Sequence, residues 1–191
     1  MMKKSLLLLA ALVLGGCATH WPESALINPQ VIPSNQQYYS GNRITMEGVD
    51  NREAAYVFSI KKKEKAPVLV NSSQPLNNLL AEKLAEGLRS QGLEVGNSGT
   101  TNLTLAITTA AVTVEEKTFT YVTKSRVSLQ VIADFQGSKL TKQFNMSSSK
   151  EEPGEPSMAD LESTLNQQLG SVLQQIMADT ALRSYLKGQP S

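Results

Sequence analysis

The sequence predicts an α+β fold, a two-layer sandwich in which two long amphipathic helices lie on one face of a mostly antiparallel sheet. Three observations carry this reading. Leu76, Leu79, Leu80, Leu84 and Leu88 recur at spacings of three and four, as does the stripe Met158, Leu161, Leu165, Leu169, Val172, Leu173 and Ile176. Over 119–135 the odd positions are mostly apolar or small, while the even ones carry Lys124, Arg126, Ser128, Gln130 and Asp134, the period-two pattern of a strand with one buried face. Gln136-Gly137-Ser138-Lys139 then makes a hairpin turn, and Leu140, Phe144 and Met146 continue the apolar face on a return strand. Each element has a single face to bury, so helices and sheet must cover one another.

In chain order, 1–16 read as an export signal. Lys3 and Lys4 precede an apolar run too short to stay in a bilayer as a spanning helix. The run ends at Leu14-Gly15-Gly16-Cys17, which resembles the bacterial lipobox. That chemistry cuts between Gly16 and Cys17, and it leaves a diacylglycerol thioether and an N-acyl chain such as palmitate on Cys17. Cys17 is the only cysteine, so an intramolecular disulfide is impossible. One acyl chain binds a membrane marginally, at about 0.8 kcal/mol per buried CH₂, whereas several chains on one residue make a stable anchor. Ala18 follows, where an aspartate commonly retains such proteins in the inner membrane. The expected location is therefore the outer membrane, lipid-anchored and facing the periplasm.

The lipidated cysteine opens a segment, 17–42, that reads as a flexible tether. Pro22, Pro29 and Pro33 disfavour helix and sheet alike. Stretched out, such a tether spans about 80 Å. Two contacts remain open within it: Trp21 at the lipid headgroups, or Tyr38-Tyr39 as the first ordered contact of the domain.

A single periplasmic domain is expected over 43–187, followed by a polar tail, 188–191. A short strand at 43–47, a turn at 48–52 and a second strand at 54–60 lead into Lys61-Lys62-Lys63-Glu64-Lys65, read as a solvated turn. After Val68 to Val70, Ser72-Ser73-Gln74-Pro75 signals a serine-capped helix start, and Gly92 the left-handed stop. The strand that begins at Leu103 changes parity after Ile107, which places a bulge near Thr108 and Thr109. Positions 147–156 read as an exposed loop. Ser157 with Asp160 resembles a capping box for the second long helix, and a last turn carries Leu182, Tyr185 and Leu186.

The composition argues against several kinds of chemistry. The chain carries 18 Lys and Arg against 17 Asp and Glu, so removing Lys3 and Lys4 leaves a net charge of −1 and no basic footprint for nucleic acid. Its one histidine, His20, lies in the tether beside the anchor, which argues against His-dependent catalysis. Neither metal ligands nor a phosphate-binding glycine loop stand out. Glu115-Glu116 and Glu151-Glu152 read as solvated pairs. No enzyme activity, metal or cofactor is expected beyond the lipid on Cys17.

Taken together, the lipobox, Gly48-Val49-Asp50-Asn51-Arg52, the leucine helix ending at Gly92, the long alternating strand and the capped C-terminal helix resemble the YajG-type family of small bacterial lipoproteins. The resemblance implies a Gram-negative envelope and leaves the biochemical role open. Asp50 and Arg52 have two readings, a turn carboxylate paired with an arginine or a polar contact for a partner. Two functions are in competition. One is a non-catalytic accessory module that binds an envelope protein through the polar sheet face or an exposed edge strand. The other is a carrier that holds lipid or cell-wall fragments between helices and sheet, which would need an enclosed apolar cavity. The oligomeric state is not legible.

Overall fold

The computed structural model describes residues 21–188. The signal over 1–16, the cleavage pair Gly16 and Cys17, His20 and the last three residues of the tail lie outside the described residues.

Among the described residues, eight strands form one mixed sheet and three helices accompany it. The strands are β1 (Ser24–Ala25), β2 (Arg43–Asp50), β3 (Tyr56–Lys61), β4 (Val68–Ser72), β5 (Glu94–Val95), β6 (Thr101–Glu116), β7 (Tyr121–Phe135) and β8 (Ser138–Glu152). The helices are α1 (Leu76–Ser90), α2 (Met158–Ala178) and α3 (Thr180–Leu186). The α+β class agrees with the sequence reading, but "mostly antiparallel" and "two long helices" need correction. Four of the seven strand pairings are parallel. The helices are one of 21 residues, one of 15 and a third of seven.

Besides β1 with β4 and β2 with β5, two of the four parallel pairings involve β6. Along one edge its first half pairs with β2, from Thr101 to Ile107, and its second half with β3, from Val112 to Glu115. Two strands thus lie end to end beside one long strand. The other edge of β6 pairs antiparallel with β7 over its whole length, interrupted by a register shift between Ile107 and Thr109. That is the expected bulge, and it falls where β2 hands over to β3. The β7–β8 hairpin turns on Gln136 at φ 52° and Gly137 at φ 89°, both left-handed as a two-residue turn requires.

Between helices and sheet lies the core. Leu80, Leu84 and Leu88 of α1 and Leu165, Leu169, Val172 and Leu173 of α2 are fully buried, as are Leu103, Leu105, Val127 and Leu129 of the sheet. Helix α2 begins with the expected capping box, the Ser157 hydroxyl accepting from the Asp160 N–H and the Asp160 carboxylate from the Ser157 N–H. Helix α1 has no side-chain cap. Its serine signal misleads because Pro75 takes the N-cap position, and Asn77 instead donates from its side chain to the Gly48 carbonyl at 3.0 Å.

Two further expectations fail. Residues 147–152 are not loop but the second half of β8, paired with β7 up to Tyr121–Glu152. More consequentially, 21–42 is not a free tether where it is described. Ala25, Ile27 and Pro29 are buried while Leu26, Asn28 and Gln30 face out, so this stretch is an extended strap with strand-like alternation. Trp21 is in the core at 9% exposure and not at a headgroup. Tyr39 is buried, and burial pushes its hydroxyl up to about 12 against the opposing pull of Arg183.

The strap is clamped by one row of α2. Glu162, Asn166, Gly170 and Gln174 are spaced by four and share a face. The Leu26 N–H donates to Glu162 and the Asn28 N–H to Asn166, each at 2.8 Å, and Gln174 donates to the Ile32 carbonyl at 3.0 Å. At Gly170 any Cβ would stand 2.6 Å from the Gln30 carbonyl oxygen, so only glycine admits the strap there. From α1, Ser90 accepts the Ser34 N–H at 2.9 Å.

Candidate functional site

Asp50 and Arg52 sit at the handover between β2 and β3. The loop 51–55 bulges out opposite Thr108 and Thr109, leaving a cleft of about 400 Å³ lined by Arg52, Glu53, Tyr56, Thr109 and Ala111 among others. Arg52 Nε and Nη2 donate to the two Asp50 carboxylate oxygens at 2.9 and 2.8 Å, a bidentate pair, and Nη1 donates to the Tyr56 carbonyl at 3.2 Å. The Asn51 N–H is taken by the Ile107 carbonyl at 2.9 Å. The Arg52 hydrogen bond, helped by its charge, holds the Asp50 carboxyl below its usual range.

All three guanidinium nitrogens are thus used to close the loop, and the Arg52 side chain is 7% exposed. This favours the structural reading of the pair, since a partner would meet the loop surface before the guanidinium. Gly48, in the same segment, has a packing reason. A Cβ there would lie 2.2 Å from the Asn77 carbonyl oxygen, so glycine lets the first turn of α1 close onto β2.

The paired carboxylates are separated by their partners. Glu115 pairs with Lys117 at 2.7 Å, and that hydrogen bond lowers its carboxyl. Glu116 accepts the Lys63 N–H at 3.1 Å, Glu151 accepts from Thr120, and Glu152 pairs with Lys150.

A different feature dominates the surface. Among the described residues β8, 15 residues long, pairs only with β7, so its outer backbone edge is open. Its outward side chains join those of β7 in a polar row on the face away from the helices. Gln143 donates to Ser128 at 2.6 Å, Ser128 to Asn145 at 2.6 Å, and Gln130 to Gln143 at 3.4 Å. The long edge is guarded by charge, with Lys139 near Asp134 at 3.5 Å and Lys142 paired to Asp179 of the α2–α3 junction.

Sequence reasoning missed a buried polar contact beneath this edge. Gln168 of α2, 6% exposed, donates to Ser125 at 2.5 Å and to Ser148 at 3.0 Å, tying the helix to β7 and β8. A glutamine inside an apolar stripe was the available signal. The strap clamp was also missed, although polar residues spaced by four along α2 announce it.

The chain as a whole is similar to known proteins. A family model described as "Uncharacterized lipoprotein" matches residues 29–187, beginning inside the strap. "Uncharacterized lipoprotein YajG" of Escherichia coli strain K12 is 25% identical over 190 residues, covering 98% of each chain, and its counterpart in strain O6:H1 gives the same figures. Among solved structures, protein XCC0632 from Xanthomonas campestris superimposes with a TM-score of 0.65 over 88% of this chain and 99% of its own. At 9% identity that likeness is one of fold alone. No described helix is long and apolar enough to cross a membrane.

Proposed function

We propose, from the premise that this chain belongs to that family of uncharacterized lipoproteins, that it is a non-catalytic outer-membrane lipoprotein whose periplasmic domain binds an envelope protein at the β8 edge. Signal cleavage before Cys17 and acylation of its sulfur and amino group supply the anchor. The observation that carries the binding role is the backbone edge of β8, a row of donors and acceptors with no strand partner among the described residues. An extended partner segment would add a strand there, with the polar row on β7 and β8 setting its register.

The carrier reading has less support. A void large enough for a ligand between helices and sheet would leave accessible surface on the side chains around it. Leu80, Leu84, Leu105, Leu165 and Leu169 have none.

A photoreactive residue placed in cells at Thr141, Asn145 or Ser149 of β8, compared with one at Gln167 on the exposed side of α2, tests this. The expected result is a protein adduct that forms from the β8 positions and not from Gln167. Adducts of lipid or glycan alone would favour the carrier, and no adduct from β8 would remove the edge as the binding surface.

A further inference from the structure

Five large apolar side chains stand exposed among the described residues, two of them, Leu26 and Ile32, on the strap and the other three together. Val68 at 40%, Leu69 at 52% and Phe119 at 86% lie at one end of the sheet. Val68 and Leu69 open β4 just after the 61–65 turn, and Phe119 is on the tip joining β6 to β7. The two turns are neighbours, because Lys61 at the end of β3 is in register with Glu115 near the end of β6, and Lys63 Nζ reaches the Thr118 hydroxyl at 3.4 Å.

The chain enters the domain from this same end. β1 runs parallel to β4, with Ser24 beside Asn71 and Ala25 beside Ser72, so the residues before Ser24 approach from the side where β4 begins. Trp21 is already buried. Only positions 18–20 separate it from Cys17 in the sequence, and four residue steps reach at most about 14 Å. From β1 across β4 and β3 to β6 is three strand spacings, also about 14 Å. The anchor's whole reach is thus comparable with the width of the end that carries the apolar tips.

We infer that this end of the sheet, with Val68, Leu69 and Phe119, is a membrane-docking surface that seats the domain end-on on the bilayer holding Cys17. The inference rests on the lipidation reading above. A lipid surface is the occupant because the short leash keeps this end at the bilayer, and because an exposed phenylalanine on a turn tip gains by entering the headgroup layer. Charge does not drive the docking. Over 61–65, 115–117 and 150–155 six lysines meet six glutamates, among them Lys62 paired with Glu155 at 2.7 Å, Lys117 with Glu115 and Lys150 with Glu152, so the end is close to electrically balanced. Docking should accordingly be insensitive to salt.

The test uses the full lipidated chain, labelled in cells with radioactive palmitate and reconstituted into vesicles of phosphatidylethanolamine and phosphatidylglycerol. A fluorophore is attached to a new thiol at the tip, Thr118→Cys, or at the opposite end, Ser138→Cys. Nitroxide-bearing lipids should quench the tip probe several-fold more than the distal one, and adding Phe119→Ser should reduce the quenching at the tip. Weak, equal quenching at both positions on palmitate-labelled protein would overturn the docking surface while leaving the anchor intact. Protein that carries no palmitate would overturn the anchor and the docking together.

Discussion

Residues 21–42 and the second half of the edge strand β8 both read from the sequence as segments outside the packed scaffold, one a tether and one a loop, yet the fold treats them oppositely. The strap buries Ala25, Ile27 and Pro29 and gives backbone groups to side chains of α2. Strand β8 gives one edge of its backbone to β7 and leaves the other open. An extended segment is thus integral to the core when one parity of its residues packs inward, as Ala25, Ile27 and Pro29 do while Leu26 and Ile32 stay exposed, and its backbone groups find partners; it remains a surface when one side of its backbone does not. On the proposed anchoring through Cys17, the difference decides both how far the domain stands from the bilayer and where the proposed partner meets it.

Substitutions test this contrast, beginning with the most severe. Ile27→Ala, at a fully buried strap position, should cost about 2–5 kcal/mol in urea unfolding of the mature protein, as expected for a core residue and not for a linker. A near-zero cost would return the strap to a tether. Gly170→Ala should cost about 1–3 kcal/mol, because its Cβ meets the Gln30 carbonyl and either the strap or α2 must shift. Asn166→Ala, which removes the acceptor of the Asn28 N–H, should cost about 1 kcal/mol.

Asp50→Asn adds a pH signature. The folded carboxyl titrates below its ordinary value of 3.8, so its contribution is complete above that value and disappears as pH falls through the folded pKa. The stability gap between the native protein and Asp50→Asn should therefore narrow on acidification from neutral pH to below 3.8. A gap that stays constant would mean that the pair does not hold the loop. Smallest of all, Asn145→Ala on the outer row of β8 should change stability by less than about 0.5 kcal/mol while weakening crosslinking from that strand. A large loss of stability would mean that the row is structural.

Much of the fold was legible because it is written in local patterns. The helical leucine stripes, the Ser157–Asp160 box, the Gln136-Gly137 turn and the parity change at Thr108 each depend on residues a few positions apart, and the structure places each as read. The end-to-end pairing of β2 and β3 along β6 was not legible, because strand order depends on which chains meet and no local spacing records it. The strap was hidden by its prolines, which argue against ladder pairing but not against an extended chain lying in a groove. Its period was present in Ala25, Ile27 and Pro29. The second half of β8 was hidden because Ser147, Ser148 and Ser149 show no alternation, and an edge strand with an exposed face does not need any. At the Asp50–Arg52 segment the residue types were legible, while the direction of the guanidinium, inward to the Tyr56 carbonyl, depended on the loop that β6 leaves room for.

The most direct test of the account is amide hydrogen exchange of the lipidated protein in vesicles, comparing the strap with α2. Protection at Leu26, Asn28 and Ser34 approaching that of the α2 interior is the predicted result, and it would mean that the fold begins within a few residues of the lipid. Exchange of those amides at the rate of a free chain would contradict it, restoring a long tether and removing the reason for the domain to sit at the membrane.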